Sequence, residues 1–127
     1  NMINLTQNQV IEDLNTLELS ASKKNEHVIS IGEWHELWLN EDADKGRNPQ
    51  VLVFLEDVLR KWCTRYEIRC YEGKTEIIFW MNRTLLPGNK EPRTSCLLPF
   101  KINALLEVIH QLAYEYRELL LLKEGNV

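Results

Sequence analysis

The sequence predicts an α+β fold: helices in the N-terminal half, a small antiparallel sheet, and one long amphipathic helix at the end. Three observations predict it. Apolar residues recur at helical spacing up to Trp62 and again from Ile102 onward, whereas between 66 and 82 they alternate with period two. Glycine and proline mark the turns, Gly73 within the alternating stretch and Pro87-Gly88, Pro92 and Pro99 after it. A chain of 127 residues is long enough to bury a core without metal or disulfide support, so a single domain over 2–127 is expected.

Three helices are expected before the sheet. Thr6 suits the N-cap of the first and Gln9 its third position, so each side chain can satisfy the other's orphan amide while Leu5 packs on Val10. Ile11, Leu14 and Leu17 continue the apolar stripe, and 20–25 is a polar connection. His27-Val28-Ile29 reads as a short strand. The second helix repeats the capping device with Ser30 and Glu33, stapled by Ile29 and Trp34, and gathers Ile31, Trp34, Leu37 and Trp38 on one face. Residues 41–47 form a charged loop. Pro49 opens the third helix, where its missing N–H removes only an orphan donor. That helix is apolar almost all round at first and should lie centrally. Glu56 with Arg60 and Asp57 with Lys61 are spaced as i,i+4 pairs.

The stretch "YEIRCYEGKTEIIFWMNR" then reads as a hairpin over 66–82, turning at Gly73-Lys74 or at Glu72-Gly73. Both turns give the same partition of faces. Tyr66, Ile68 and Cys70 fall with Thr75, Ile77, Phe79 and Met81 on a core face. Glu67, Arg69 and Tyr71 fall with Glu76, Ile78, Trp80 and Asn82 on a mixed one. Residues 85–92 form a loop, a third strand is expected near 95–98, and Pro99 ends it and opens the last helix. From Ile102, apolar residues recur at 105, 109, 112, 116 and 119, widened by Leu106, Ala113 and Leu120, with Gly125 as the stop.

Composition excludes several classes. Apolar residues make up 44% and charged residues 27%, ordinary for a globular protein. No apolar run approaches the roughly 18 residues of a membrane span, and no basic stretch followed by an apolar one marks a leader. The sequons at Asn4 and Asn82 read as chance matches. Cys63, Cys70 and Cys96 are odd in number and lack a CxxC spacing, which fits reduced thiols and a cytoplasmic location. His27, His35 and His110 lie more than a helical turn apart, and "WHELW" lacks the second histidine of a zinc-protease helix. With no nucleophile elbow, phosphate loop or dinucleotide fingerprint, the expectation is a non-enzymatic protein without cofactor or metal.

Charge is unevenly placed. Residues 1–57 carry a net −7, 58–101 a net +5 and 102–127 a net −2. Two kinds of partner follow. The cations from Arg60 to Lys101 surround Tyr66, Tyr71 and Trp80, a combination that neutralises phosphates and stacks unpaired bases. Three helices followed by a hairpin resemble the winged-helix family, with 66–83 as the wing, although residues 40–48 are long for a helix-turn-helix connection. The order of hairpin, short strand and long helix is also similar to single-stranded-DNA-binding regulators in which curved strands precede a dimerising helix. Both resemblances imply nucleic-acid binding.

Association with protein is the favoured expectation, in an adaptor, chaperone, inhibitor or regulatory-subunit role. Trp34, Trp38 and Trp62 fit core positions, whereas Trp80 sits among Glu67, Arg69 and Glu76, an aromatic anchor in a polar frame. Tyr114, Leu121 and Leu122 lie off the stripe of the last helix, so homodimerisation through 102–122 is a second route. The expected contact residues are Arg69, Tyr71, Lys74, Ile78, Trp80 and Arg83 on the hairpin, with Tyr114 and Leu121 on the helix.

Overall fold

The computed structural model describes residues 6–22, 49–88 and 91–125, and these residues form three helices and one three-stranded antiparallel sheet. The helices are α1 (Gln7–Ser22), α2 (Pro49–Trp62) and α3 (Lys101–Gly125); the strands are β1 (Cys63–Tyr71), β2 (Lys74–Met81) and β3 (Arg93–Thr94). This is an α+β architecture. Two of the three N-terminal helices are therefore in place; the one expected from Ser30, the short strand at 27–29 and the loop at 41–47 lie outside the described residues.

The capping box forms. The Thr6 amide donates to Gln9 Oε1 at 2.8 Å and the Gln9 amide to Thr6 Oγ1 at 3.2 Å, satisfying two orphan donors reciprocally. Val10, Ile11, Leu14 and Leu17 then bury one face of α1 against α3. On the same contact, Asp13 is buried and accepts from His110 Nδ1 at 2.8 Å and from Arg117 at 2.9 Å. Arg117 also donates to Thr16 Oγ1 at 3.0 Å, so one polar network fixes the register of the two helices.

α2 runs without a loop into β1 and packs centrally, with Leu55, Val58, Leu59 and Trp62 buried. Trp62 meets Tyr116 of α3 edge-on, with ring centroids 5.1 Å apart. The expected i,i+4 ion pairs do not form. Arg60 instead bonds Asp57 at 2.6 Å, and Lys61 lays its ammonium over the Trp62 ring, 5.6 Å from the centroid. Glu56 is drawn away by tertiary partners, accepting from Lys101 Nζ and from the Tyr66 hydroxyl, each at 3.0 Å. Burial pushes the Glu56 carboxyl up, but those two hydrogen bonds and the charges of Lys101 and Arg60 outweigh it and hold it below the ordinary 4.5. A depressed carboxylate stabilises the fold above the unfolded value and loses that contribution as pH falls through the folded one. Glu56→Gln should therefore lower stability at pH 7 by about 1–2 kcal/mol. In denaturation curves at stepped pH, the gap to the parent should close below pH 4.5; a constant gap would refute the linkage.

The hairpin turns at Glu72-Gly73, with φ of 49° and 77°, rather than at Gly73-Lys74. Holding Glu72 in the left-handed region costs about 1–2 kcal/mol. The register it allows sets Arg69 opposite Glu76 and Arg65 opposite Trp80, cross-strand pairs of about 0.2–1 kcal/mol each that offset it. Thr75, Ile77, Phe79 and Met81 are buried, as the alternation predicts. Cys70, expected on the core face, is on that side but exposed near the hairpin tip.

The third strand is shifted and shorter than expected. Regular pairing is confined to Arg93–Thr94, opposite Phe79 and Ile78. The segment 95–98 stays beside β2 but breaks the ladder, because Ser95 Oγ accepts the Ile77 amide at 2.8 Å where a backbone carbonyl would serve in a strand. A bridge between Thr75 and Leu98 closes the far end. α3 begins at Lys101 rather than Pro99; the Phe100 carbonyl accepts from the Asn103 and Ala104 amides and so holds the cap. Its stripe is buried from Ile102 through Ala113, half-buried at Tyr116 and Leu119, and open at Leu120, which was expected to widen it. Toward the end of this 25-residue helix, roughly 37 Å long, Leu120, Leu121 and Leu122 are exposed.

Candidate functional site

The outer face of the hairpin gathers most of the residues singled out from sequence. Arg69, Tyr71, Lys74, Ile78 and Trp80 share it, because the register pairs Tyr71 with Lys74 and the pleat alternates from there. Trp80 and Ile78 are half-buried. Neither belongs to the buried core, nor to the partly buried apolar side chains packed against it, namely Leu52, Phe54, Tyr66, Ile68, Leu85, Cys96 and Tyr116. Among the described residues the helices pack on the other side of the sheet, through the cluster that holds Ile77, Phe79 and Leu105.

Two residues complete this face that were not among the expected contacts. The Arg65 guanidinium lies over the Trp80 ring, 4.6 Å from its centroid. Arg65 and Arg69 then share the carboxylate of Glu67, Arg69 at 3.3 Å. Those two hydrogen bonds hold Glu67 below the usual carboxylate range. The signal was present in the alternation Arg65, Glu67, Arg69, which puts three charges on one face of a strand. What spacing alone could not give was the partner strand, and hence the tryptophan beneath Arg65.

Arg83 follows the end of β2 and lines a depression of about 440 Å³ together with Thr64, Arg65, Trp80, Met81, Asn82 and Thr84. Part of its polar lining is already engaged. The Asn82 amide bonds the Trp62 carbonyl at 2.9 Å and the Thr84 amide bonds Asn82 Oδ1 at 2.9 Å, while Asn82 Nδ2 reaches the Lys61 carbonyl at 3.2 Å. The hollow thus offers guanidinium, hydroxyl and indole groups.

Tyr114 and Leu121 are 54% and 60% exposed, with Leu122 at 65%. They are exposed on α3, which packs on the core side of the sheet, whereas the hairpin's outer face is the opposite side. The expected contacts therefore split into two surfaces. Among the described residues, no helix is long and apolar enough to cross a membrane, and no three His, Cys, Asp or Glu side chains are grouped to hold a metal ion. Cys63 is buried and its thiol is pushed up to about 12; Cys96 is raised by its hydrogen bond to Glu107 and by burial, so neither is set up as a thiolate. Compared with known proteins, the chain matches no family model, no curated protein and no solved structure.

Proposed function

We propose that the protein works by binding another protein through the outer face of the hairpin, with Trp80 as the anchor. The observation that carries this reading is that Trp80 and Ile78 lie outside the packed core while Arg65, Glu67 and Arg69 pair with one another around them. An aromatic set in a frame of matched charges has the anatomy of a protein interface, where the anchor gives the energy and the rim fixes orientation. A phosphate-binding face would keep its cations unpaired, and a base-stacking face would leave its aromatic uncovered. Here Arg65 and Arg69 share a carboxylate, and Arg65 occupies the ring.

Trp80→Ala and Arg69→Glu should each remove most of the partner captured by immobilised protein from a cell extract, with the helical circular dichroism unchanged. Capture that survives both substitutions would sink the outer face. Fluorescence anisotropy with single-stranded DNA, duplex DNA and RNA across a salt series tests the nucleic-acid reading. Binding that falls steeply with salt and is lost on Arg69 and Lys74 substitution would replace the protein reading with it. The exposed Tyr114, Leu121 and Leu122 favour a second contact, between copies of α3, which light scattering over a concentration series tests.

A further inference from the structure

The hollow of about 440 Å³ lies where β1 begins and β2 ends, and hydrogen bonds hold its walls in place. Asn82, next after β2, is tied to the end of α2: its amide donates to the Trp62 carbonyl at 2.9 Å and its Nδ2 to the Lys61 carbonyl at 3.2 Å. From there the chain makes a closed turn. The Thr84 amide donates to Asn82 Oδ1 at 2.9 Å, and the Leu85 and Leu86 amides donate to the Asn82 carbonyl at 3.2 and 2.7 Å. Leu86 is buried and pins the turn to the core. Arg83 therefore projects from backbone that is fixed on both sides. On the strands, Thr64 Oγ1 donates to the Met81 carbonyl at 3.2 Å. The Arg65 guanidinium is laid on the Trp80 ring, 4.6 Å from its centroid, and bonds Glu67.

Both charged side chains of the lining, Arg65 and Arg83, are cations, so the hollow calls for an anion. The bonds already made select its kind. A guanidinium is a planar fork, matched to the two oxygens of a carboxylate by parallel hydrogen bonds. Glu67 meets Arg65 at Nη2, one corner of a group that carries donors on every nitrogen. A tetrahedral phosphate draws on backbone amides as well as cations. Here the amides of Asn82 and Thr84 and the Thr64 hydroxyl all donate within the chain. The Trp80 indole stands beside the cations as an apolar wall. Arg65 and Trp80 belong to the hollow and to the outer face alike, so what fills the one is continuous with what covers the other.

We infer that the hollow takes an acidic side chain of the partner protein, its carboxylate held by the forks of Arg83 and Arg65 while an apolar neighbour lies on Trp80. Both forks stand on fixed walls before the partner arrives, so little rotamer freedom is lost when the bonds form. The carboxylate gives direction to an anchor that by itself is only apolar. Arg83 is then a specificity-determining residue, and Arg65 joins the two parts of the contact. This inference rests on the reading that the protein binds a protein through the outer face, and adds the chemistry of the residue recognised beside the anchor.

The test titrates the full chain, nitrogen-15 labelled, with the acetylated and amidated peptide Leu-Ser-Glu-Ser-Leu. It sets leucine and glutamate on one face of an extended segment and reads the same in both directions. Three counterparts replace the glutamate: one with glutamine, one with glutamine and a free terminal carboxylate, and one with phosphoserine. The glutamate peptide should move the Nε–H signals of Arg65 and Arg83 and the indole signal of Trp80. It should bind about tenfold more tightly than each counterpart. Arg83→Gln, at an exposed position, should bring it down to the glutamine peptide while the other amide signals stay in place. Equal binding of the glutamate and glutamine peptides, or a preference that survives Arg83→Gln, overturns the inference. So does binding of the free-acid or phosphoserine peptide as tight as that of the glutamate peptide. The same shifts on concentrating the protein alone, or on adding single-stranded oligothymidylate, overturn it too. Capture from extract separates this failure from that of the outer face. Loss on Trp80→Ala with retention on Arg83→Gln leaves the outer face standing and removes the carboxylate site; retention in both removes both.

Discussion

Asp13→Ala should destabilise the protein by about 3 kcal/mol, read as a lowered denaturation midpoint. Asp13 is 3% exposed and accepts from both His110 and Arg117 across the contact between α1 and α3. Removing one partner of a buried ion pair costs about 3–5 kcal/mol, because the charge left behind has lost its compensation. The low end applies here, since the side chains of His110 and Arg117 are 34% and 35% exposed and water recovers part of their solvation. Arg117→Met should cost less, as Asp13 keeps His110 and the methionine stem still covers the helix. In the double-mutant cycle the two changes should be clearly non-additive, because they act on one contact. Additive effects, or a loss under about 1 kcal/mol for Asp13→Ala, would show that apolar packing alone holds α1 in place.

Phe79→Ala and Trp80→Ala should differ sharply although the residues are neighbours. Phe79 is fully buried between the sheet and the helices, and its truncation should cost about 3–5 kcal/mol. Trp80 points the other way, and its loss removes the Arg65 stack and cross-strand contact, worth about 1 kcal/mol. Binding should show the reverse order, with Trp80→Ala abolishing partner capture while the folded fraction of Phe79→Ala retains it. Equal destabilisation by the two substitutions would mean that the outer face is part of the core and that the candidate site is misplaced.

Much of this was legible in the residues themselves. The capping box at Thr6 and Gln9 is a local device, complete within four residues, and forms as read. Period-two alternation assigned Ile77 and Phe79 to one face and Ile78 and Trp80 to the other before any partner was known. Where the reading failed, a distant group had intervened. Glu56 left Arg60 for Lys101, 45 positions along the chain, and Tyr66. Ser95 broke the third strand with a side-chain oxygen.

The sequence by itself determined the order of the described elements and their amphipathic faces, because both depend on spacing along the chain. Only the tertiary structure decided which turn the hairpin takes, which cation covers Trp80, how the described strands are ordered and which carboxylate ties α1 to α3. The physical reason is the range of the forces concerned. Capping and pleat are set within a few residues, whereas ion pairs, ring stacking and sheet order compare partners that sequence separation hides and that only packing brings within reach.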